Sequence, residues 1–174
     1  MKYILDAQAI NAVLPAVNKE DDFRVYLEGV HIEDDDDGAR IYTATNGHIL
    51  FQIVTERKPY DEKLDKDYIV VFDKKFDKRV QFVEFEPTSE ISGTIDGDTT
   101  VRIVDMKYPN VSRVIPKLTT PKARDFALFE PDYLKKVRQF LGKHWWIPQM
   151  DNPSSAAVWF AANKTAVLMP MREG

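Results

Sequence analysis

The side chains able to do chemistry are few and scattered. His31, His48 and His144 are the only histidines, and no H-x-x-x-H or His/carboxylate spacing links them, so neither a metal site nor a general base is predicted. His31 is expected on a strand surface. The acidic run "EDDDDG" sets Glu33, Asp35, Asp37 and Gly38 near the first, third, fifth and sixth positions of a calcium loop, but the twelfth would be Ala44, where a bidentate glutamate is needed. A solvated hairpin turn is the better reading. The chain has no cysteine, which removes disulfides, thiolate zinc sites and a cysteine nucleophile together. No G-x-S-x-G, P-loop or G-x-G-x-x-G motif is present. Catalysis is therefore not expected, and neither is a cofactor or a metal.

Charge is the stronger signal. The formal net charge is −4, yet basic residues gather in two short segments predicted to be helical. In residues 73–80, Lys74/Lys78 and Lys75/Arg79 are like-charged i, i+4 pairs, which disfavour a helix unless something anionic faces them. In residues 130–142, Tyr133, Leu134, Val137, Phe140 and Leu141 form an apolar stripe, with Lys135, Lys136, Arg138 and, just beyond, Lys143 on the remaining surface. One such segment would be an ordinary solvated face. Two in equivalent places of a repeat, on an acidic chain, point to a surface that meets phosphates. The third signal is "VLMPM" near the end, which taken alone reads as a buried strand whose methionines fill core.

The elements that would position these residues follow from periodicity. A chain of 174 residues with 44% hydrophobic content can bury one good core. Its first residues are interrupted by Asp6, Gln8, Asn11 and Pro15, wrong for a signal peptide or membrane span, so a cytoplasmic protein is expected. Tyr3 to Leu5 reads as a strand and Asp6 as the N-cap of a helix with Ile10, Val13, Leu14 and Val17 on one side, shortened at Pro15. "RVYLEGVHIE", "ARIYTAT" and "HILFQIV" read as strands, the last two joined at "NG". After a charged loop the order recurs: strand "DYIVVF", helix "DKKFDKRV" opened by Asp73, then strands "QFVEFE", "SEISGTI" and "TTVRIVDM". A third pass gives strand "RDFALF", helix "EPDYLKKVRQFLG" with Pro131 in its first turn and Gly142 past its end, and strands "SAAVWFA" and "TAVLMP". The chain thus reads as three βαβββ modules of an α+β fold, each with an acid where strand passes into helix: Asp6, Asp73 and Glu130. One such module exposes an apolar sheet face and needs a neighbour.

Four segments in order, "RVYLEGVHIE", "YTATNGHILF", "KYPNVSRVIP" and "AVLMPMR", resemble the bacterial sliding clamp, the beta subunit of DNA polymerase III, in a shortened form. The resemblance implies a DNA clamp fold with helices inside and antiparallel sheets outside. Residues 1–116 are similar to a complete clamp-type domain of two modules, and 117–174 to half a domain ending in the M-P-M-R strand. Family chains have six modules and close rings of twelve, so four copies of a three-module chain would be needed for such a ring. The family's D-G-H-R hairpin has Asn46 and Ile49 here in place of Asp and Arg. Trp145 and Trp146 are expected to plug the face left by a missing module.

What the resemblance implies for sites is specific. A hydrophobic cleft for short partner motifs would comprise Leu27, Thr45, Gly47, His48 and Leu50, then Pro109, Arg113 and Val114, and finally Val167, Met169, Pro170, Met171 and Arg172. Methionines suit such a cleft because they repack around different partners. Lys74, Lys75, Lys78, Arg79, Lys135, Lys136, Arg138 and Lys143 would face the DNA backbone without reading bases. The function implied is a processivity factor that encircles double-stranded DNA and tethers a DNA polymerase and other motif-carrying proteins, with a clamp loader as a further partner and no membrane. The alternative is a non-ring binding module or decoy that takes clamp-interacting peptides, or a clamp itself, without encircling DNA.

Overall fold

The computed structural model describes residues 1–18, 23–113, 115, 127–144, 148–150 and 154–171. Strand β1 (Tyr3–Asp6) runs straight into helix α1 (Ala7–Val13). Asp6 makes this junction: its carboxylate accepts from the backbone N–H groups of Gln8 and Ala9, the N-cap expected from the sequence. Pro15 has no N–H to give to the helical ladder, so the α-helix closes at Val13 and goes on only as a 3₁₀ turn, Leu14–Ala16.

Strands β2 (Val30–Asp34), β3 (Ala39–Thr45), β4 (Ile49–Glu56), β5 (Tyr68–Val71), β6 (Phe82–Pro87), β7 (Ser92–Ile95) and β8 (Thr99–Ile103) follow, then helix α2 (Pro131–Leu141) and strands β9 (Ala157–Ala161) and β10 (Lys164–Leu168). All ten strands among the described residues join one sheet in the order β1-β6-β7-β8-β5-β2-β3-β4-β10-β9. The first strands of the first two repeats are exchanged: β1 pairs with β6, Tyr3 opposite Phe85, and β5 pairs with β2, Val70 opposite Val30. The third repeat joins through β10, which lies antiparallel to β4 with Leu168 opposite Ile49.

Alternation along the strands gives the sheet two different faces. Tyr42, Phe51, Ala166 and Trp159 point to the main core, where Ile10 and Val13 of α1 and Val137, Phe140 and Leu141 of α2 meet them. The rings of Phe51 and Phe140 stack at 4.1 Å. Both helices therefore lie on one side of an antiparallel sheet, as the α+β clamp reading requires. No described helix is long and apolar enough to cross a membrane.

A buried charge cluster closes the outer edge of β1. Arg40, 1% exposed, donates from Nε and Nη2 to the two carboxylate oxygens of Asp34 at 2.7 and 2.9 Å. Its Nη1 donates to Asp61 and to the carbonyl of Ile4, both at 2.6 Å, while Asp61 accepts from the Ile4 N–H at 2.9 Å. Both outward backbone groups of Ile4 are thereby satisfied, which removes β1 as an open edge. Burial alone would raise the Asp34 carboxyl pKa, but the bonds from Arg40 and from the Leu64 N–H hold it below the ordinary aspartate value.

Several sequence expectations are corrected. Residues 73–80 form no helix; they make bends and a turn. The reason lies on α1, whose Asn11 side chain accepts from the Phe76 N–H and donates to the Phe76 carbonyl, while Gln8 donates to the carbonyls of Asp77 and Val80. These bonds take up backbone groups that a helix would have paired internally, and the like-charged pairs add nothing in its favour. "RVYLEGVHIE" is a strand only from Val30, with Val25–Leu27 in a 3₁₀ turn. Gly29 is needed between them, because a Cβ there would meet the Ile69 side chain at 2.7 Å and the Val70 carbonyl at 3.0 Å. Of "RDFALF", the described residues Ala127 to Phe129 are not a strand; Leu128 accepts one bond, from the Met171 N–H, and Pro170 beside it has no N–H to extend a ladder. Trp145 and Trp146 lie outside the described residues.

Because the folded Asp34 pKa is depressed, its contribution to stability is complete at neutral pH and is lost as acid carries the pH below about 4. The stability difference between wild type and Asp34→Asn in urea unfolding, which isolates this contribution, should hold between pH 7 and 5 and shrink below that range. Arg40→Met, which leaves Asp61 buried without its cation and Asp34 with only Arg57 at 3.9 Å, should cost about 3–5 kcal/mol at pH 7; a change under 1 kcal/mol would contradict this role.

Candidate functional site

The β3–β4 hairpin and the end of β10 meet backbone to backbone. The turn centres on Gly47 and His48, one residue later than the "NG" pair predicts: Asn46 N–H donates to the Ile49 carbonyl, and the Asn46 side chain accepts from the N–H groups of His48 and Ile49, both at 3.0 Å. Gly47 has φ +90°, as the first central position of a type II′ turn demands. The pairing of β10 with β4 continues past Leu168, since Met169 N–H donates to the His48 carbonyl at 2.9 Å. Met169 and Met171 are 41% and 52% exposed, and Pro170 is half-buried. The two methionines are therefore not core filler.

The face opposite the helices holds two small apolar clusters. Leu27, Ile69, Val104 and Tyr108 form one; Leu50, Ala156, Val158 and Val167 form the other. Val111, in a 3₁₀ turn at Val111–Arg113, packs against both, and Ile115 against the second. Thr45, Leu27, Leu50 and Val167 are buried, whereas Gly47, His48, Pro109 and Arg113 are exposed. Val114 and Arg172 lie outside the described residues. A cavity of about 680 Å³ runs beside the linker that follows β8, residues 104–115, lined by Gln52, Ile69, Tyr108, Val111 and Ile115 among others. Among the described residues predicted for the cleft, only Pro109 reaches it. The linker residues Tyr108, Val111 and Ile115 were missed from sequence, although "YPNVSRVI" is an apolar repeat with a signal of its own.

The basic residues lie on the helix side. A groove of about 710 Å³ is lined by Lys74 and Lys75 from the 73–80 loop and by Lys136 and Gln139 from α2, with Leu14 and Pro15 at its floor and the carboxylates of Glu28 and Asp73 also present. Lys78 and Arg79 stand on the far side of the loop, over Gln8 and Asn11, where Arg79 pairs with Asp77 at 3.3 Å. Lys135, Arg138 and Lys143 are exposed along and just beyond α2. The turn of the hairpin reaches this helix: the His48 ring stacks on Tyr133 at 5.9 Å, Asn46 Nδ2 donates to the Tyr133 hydroxyl at 3.3 Å, and Lys136 Nζ sits over the same ring.

His31 is not on the surface, as expected from sequence, but buried at 7% exposure and stacked flat on Tyr108, centroids 4.4 Å apart. Burial holds its pKa below the ordinary histidine value, against the opposing pull of Asp67. Burial, with the charges of Asp67 and Asp35, pushes the Glu33 carboxyl up. His31 and Glu33 are two apart on one strand, a spacing that puts both on one face and was overlooked.

No protein-family model and no curated protein matches the chain. Solved structures do. The DNA polymerase III beta chain of Streptococcus pneumoniae superposes with a TM-score of 0.76 at 14% identity, over 99% of this chain and 65% of that one. The fold is that of a sliding clamp. The clamp of Pseudomonas aeruginosa gives 0.70 at 15%, over 99% and 67%, and the beta subunit of Thermotoga maritima 0.72 at 12%, over 100% and 66%. The chain thus spans about two thirds of the clamp chains it matches, and at these identities the likeness is one of fold.

If Met169 and Met171 serve a surface and not the core, Met171→Ala should change unfolding free energy by less than about 0.5 kcal/mol. Leu50→Ala, beneath Val111, should cost about 2–5 kcal/mol in the same urea titration.

Proposed function

We propose that this chain works as a sliding-clamp-like processivity factor, closing around duplex DNA with its helix side inward and tethering a polymerase and other motif-carrying proteins through the opposite face. The observation that carries this reading is the division of labour across one sheet. Lys74, Lys75 and Lys136 share a groove on the helix side, while the apolar clusters under Val111 lie on the other and the exposed methionines continue the strand that bears Val167. The similar structures are DNA polymerase sliding clamps, and DNA and polymerase are the partners taken over from them.

On this reading residues 1–116 form a complete clamp-type domain and 117–174 half of one. A ring of twelve modules takes four copies, placed on DNA by a loader. Contacts to the backbone carry no sequence information, and each phosphate neutralised steepens the fall of log K with log salt by about 0.9. The ring itself, not contact affinity, keeps the protein on DNA.

A second reading, a binding module or decoy without a ring, is favoured by one observation: α1 carries no basic residue and residues 73–80 form no helix, so among the described residues α2 alone presents a cationic helix. Mass photometry and DNA retention separate the two. The clamp should have the mass of four copies, stay on nicked circular DNA after loading and run off linear DNA with free ends; a monomer that binds a clamp-binding peptide and ignores DNA identifies the module. In either case Met171→Ala should weaken that peptide about tenfold, roughly 1.4 kcal/mol, and equal affinity for wild type and variant would remove the cleft from both readings.

A further inference from the structure

On the face away from the helices, β2 presents His31 and Glu33 side by side, and the pairing of Ile32 with Tyr68 brings Asp67, just ahead of β5, next to them. The His31 side chain is 9% exposed, pinned flat against Tyr108, and its Nδ1 is sealed from solvent with no hydrogen-bond partner. A buried nitrogen left in that state costs about 1–3 kcal/mol. Glu33 Oε1 lies 3.9 Å from Nδ1 and Asp67 Oδ2 lies 3.7 Å from Nε2, both beyond hydrogen-bond length. Among the described residues neither carboxylate has a lysine or arginine within ion-pair distance. One donor atom from each of the three residues falls within 4.8 Å of the others.

We propose that His31, Glu33 and Asp67 form a site for a first-row divalent cation of the Zn²⁺ class, held by one imidazole nitrogen and two carboxylate oxygens with solvent completing the shell. Metal–ligand bonds of about 2.0–2.2 Å set tetrahedral donors about 3.4 Å apart, so the cluster must contract by roughly 1 Å. Asp67, with its side chain 63% exposed, has the freedom to swing in. The nitrogen donor selects Zn²⁺-like ions over Mg²⁺ and Ca²⁺, which take oxygen shells. All three residues line the 680 Å³ cavity beside the linker, which supplies an entry path. The Tyr108 ring fixes the imidazole plane, so a cation here would brace the linker that covers both apolar clusters.

The test is calorimetric titration of the full chain with ZnCl₂ near pH 7.5, alongside thermal melts with and without the ion. One equivalent should bind, and the melting temperature should rise with Zn²⁺ concentration. Removing even an outer-shell partner of a metal typically costs 10–100-fold in affinity, so Asp67→Asn and His31→Asn should each lose at least about tenfold. Asp67→Asn changes an exposed side chain and keeps the test valid should His31→Asn not fold. The proposal is overturned by absence of binding, or by binding that both variants retain, which would assign the ion to exposed acids such as Asp36 and Asp37. It is also overturned if Zn²⁺ leaves the melting temperature unchanged while acidification towards pH 6 raises it, the behaviour of an imidazolium clasped by two carboxylates.

Discussion

Period-two alternation in β3, β4, β9 and β10 sends sequence neighbours to opposite sides of the sheet, and both sides are occupied. Phe51 stacks on Phe140 of α2; Leu50, the residue before it, is buried with Val158 and Val167 on the other side. A slip of one residue between β4 and β10 would exchange these sets and lose both packings at once. Register here is therefore over-determined, and the meeting of Met169 with His48 follows from it. The cationic groove and the apolar clusters are two readings of one pleat.

The edges of the sheet are managed by different means. At β1, a guanidinium with two carboxylates stands in for a neighbouring strand, bonding both free groups of Ile4. Such a cluster adds little net stability over an apolar replacement, but it ties β1, the β2–β3 hairpin and residues 61–64 to one another. At the other end, β9 is met by one bridge, between Gln149 and Val158.

Much of this was legible in the sequence where the signal is local. Asp6 caps its helix, Pro15 ends it, and α2 starts at Pro131 and closes before Gly142, because these are short-range matters of backbone bonding. Non-local bonds defeated the reading elsewhere. Residues 73–80 have helical spacing, but Asn11 and Gln8, more than sixty residues earlier, bind that backbone in another shape. Arg40 looks like a solvent-facing strand residue and is buried because Asp34 and Asp61 converge on it. His31 looked isolated because its second carboxylate comes from another strand. The methionines were ambiguous in sequence, since exposure is set by what packs over them, and here nothing among the described residues covers them fully.

The exchange of first strands has a consequence for synthesis. Tyr3 pairs with Phe85, so a nascent chain that has emerged only through β4 carries a strand whose partner has not yet been made, and the first repeat waits for the second. Lys164 pairs with Ile53, so β10 can join β4 only after the whole second repeat has been made. The apolar surface of Leu50 is consequently completed only when β10 brings Val167 alongside it.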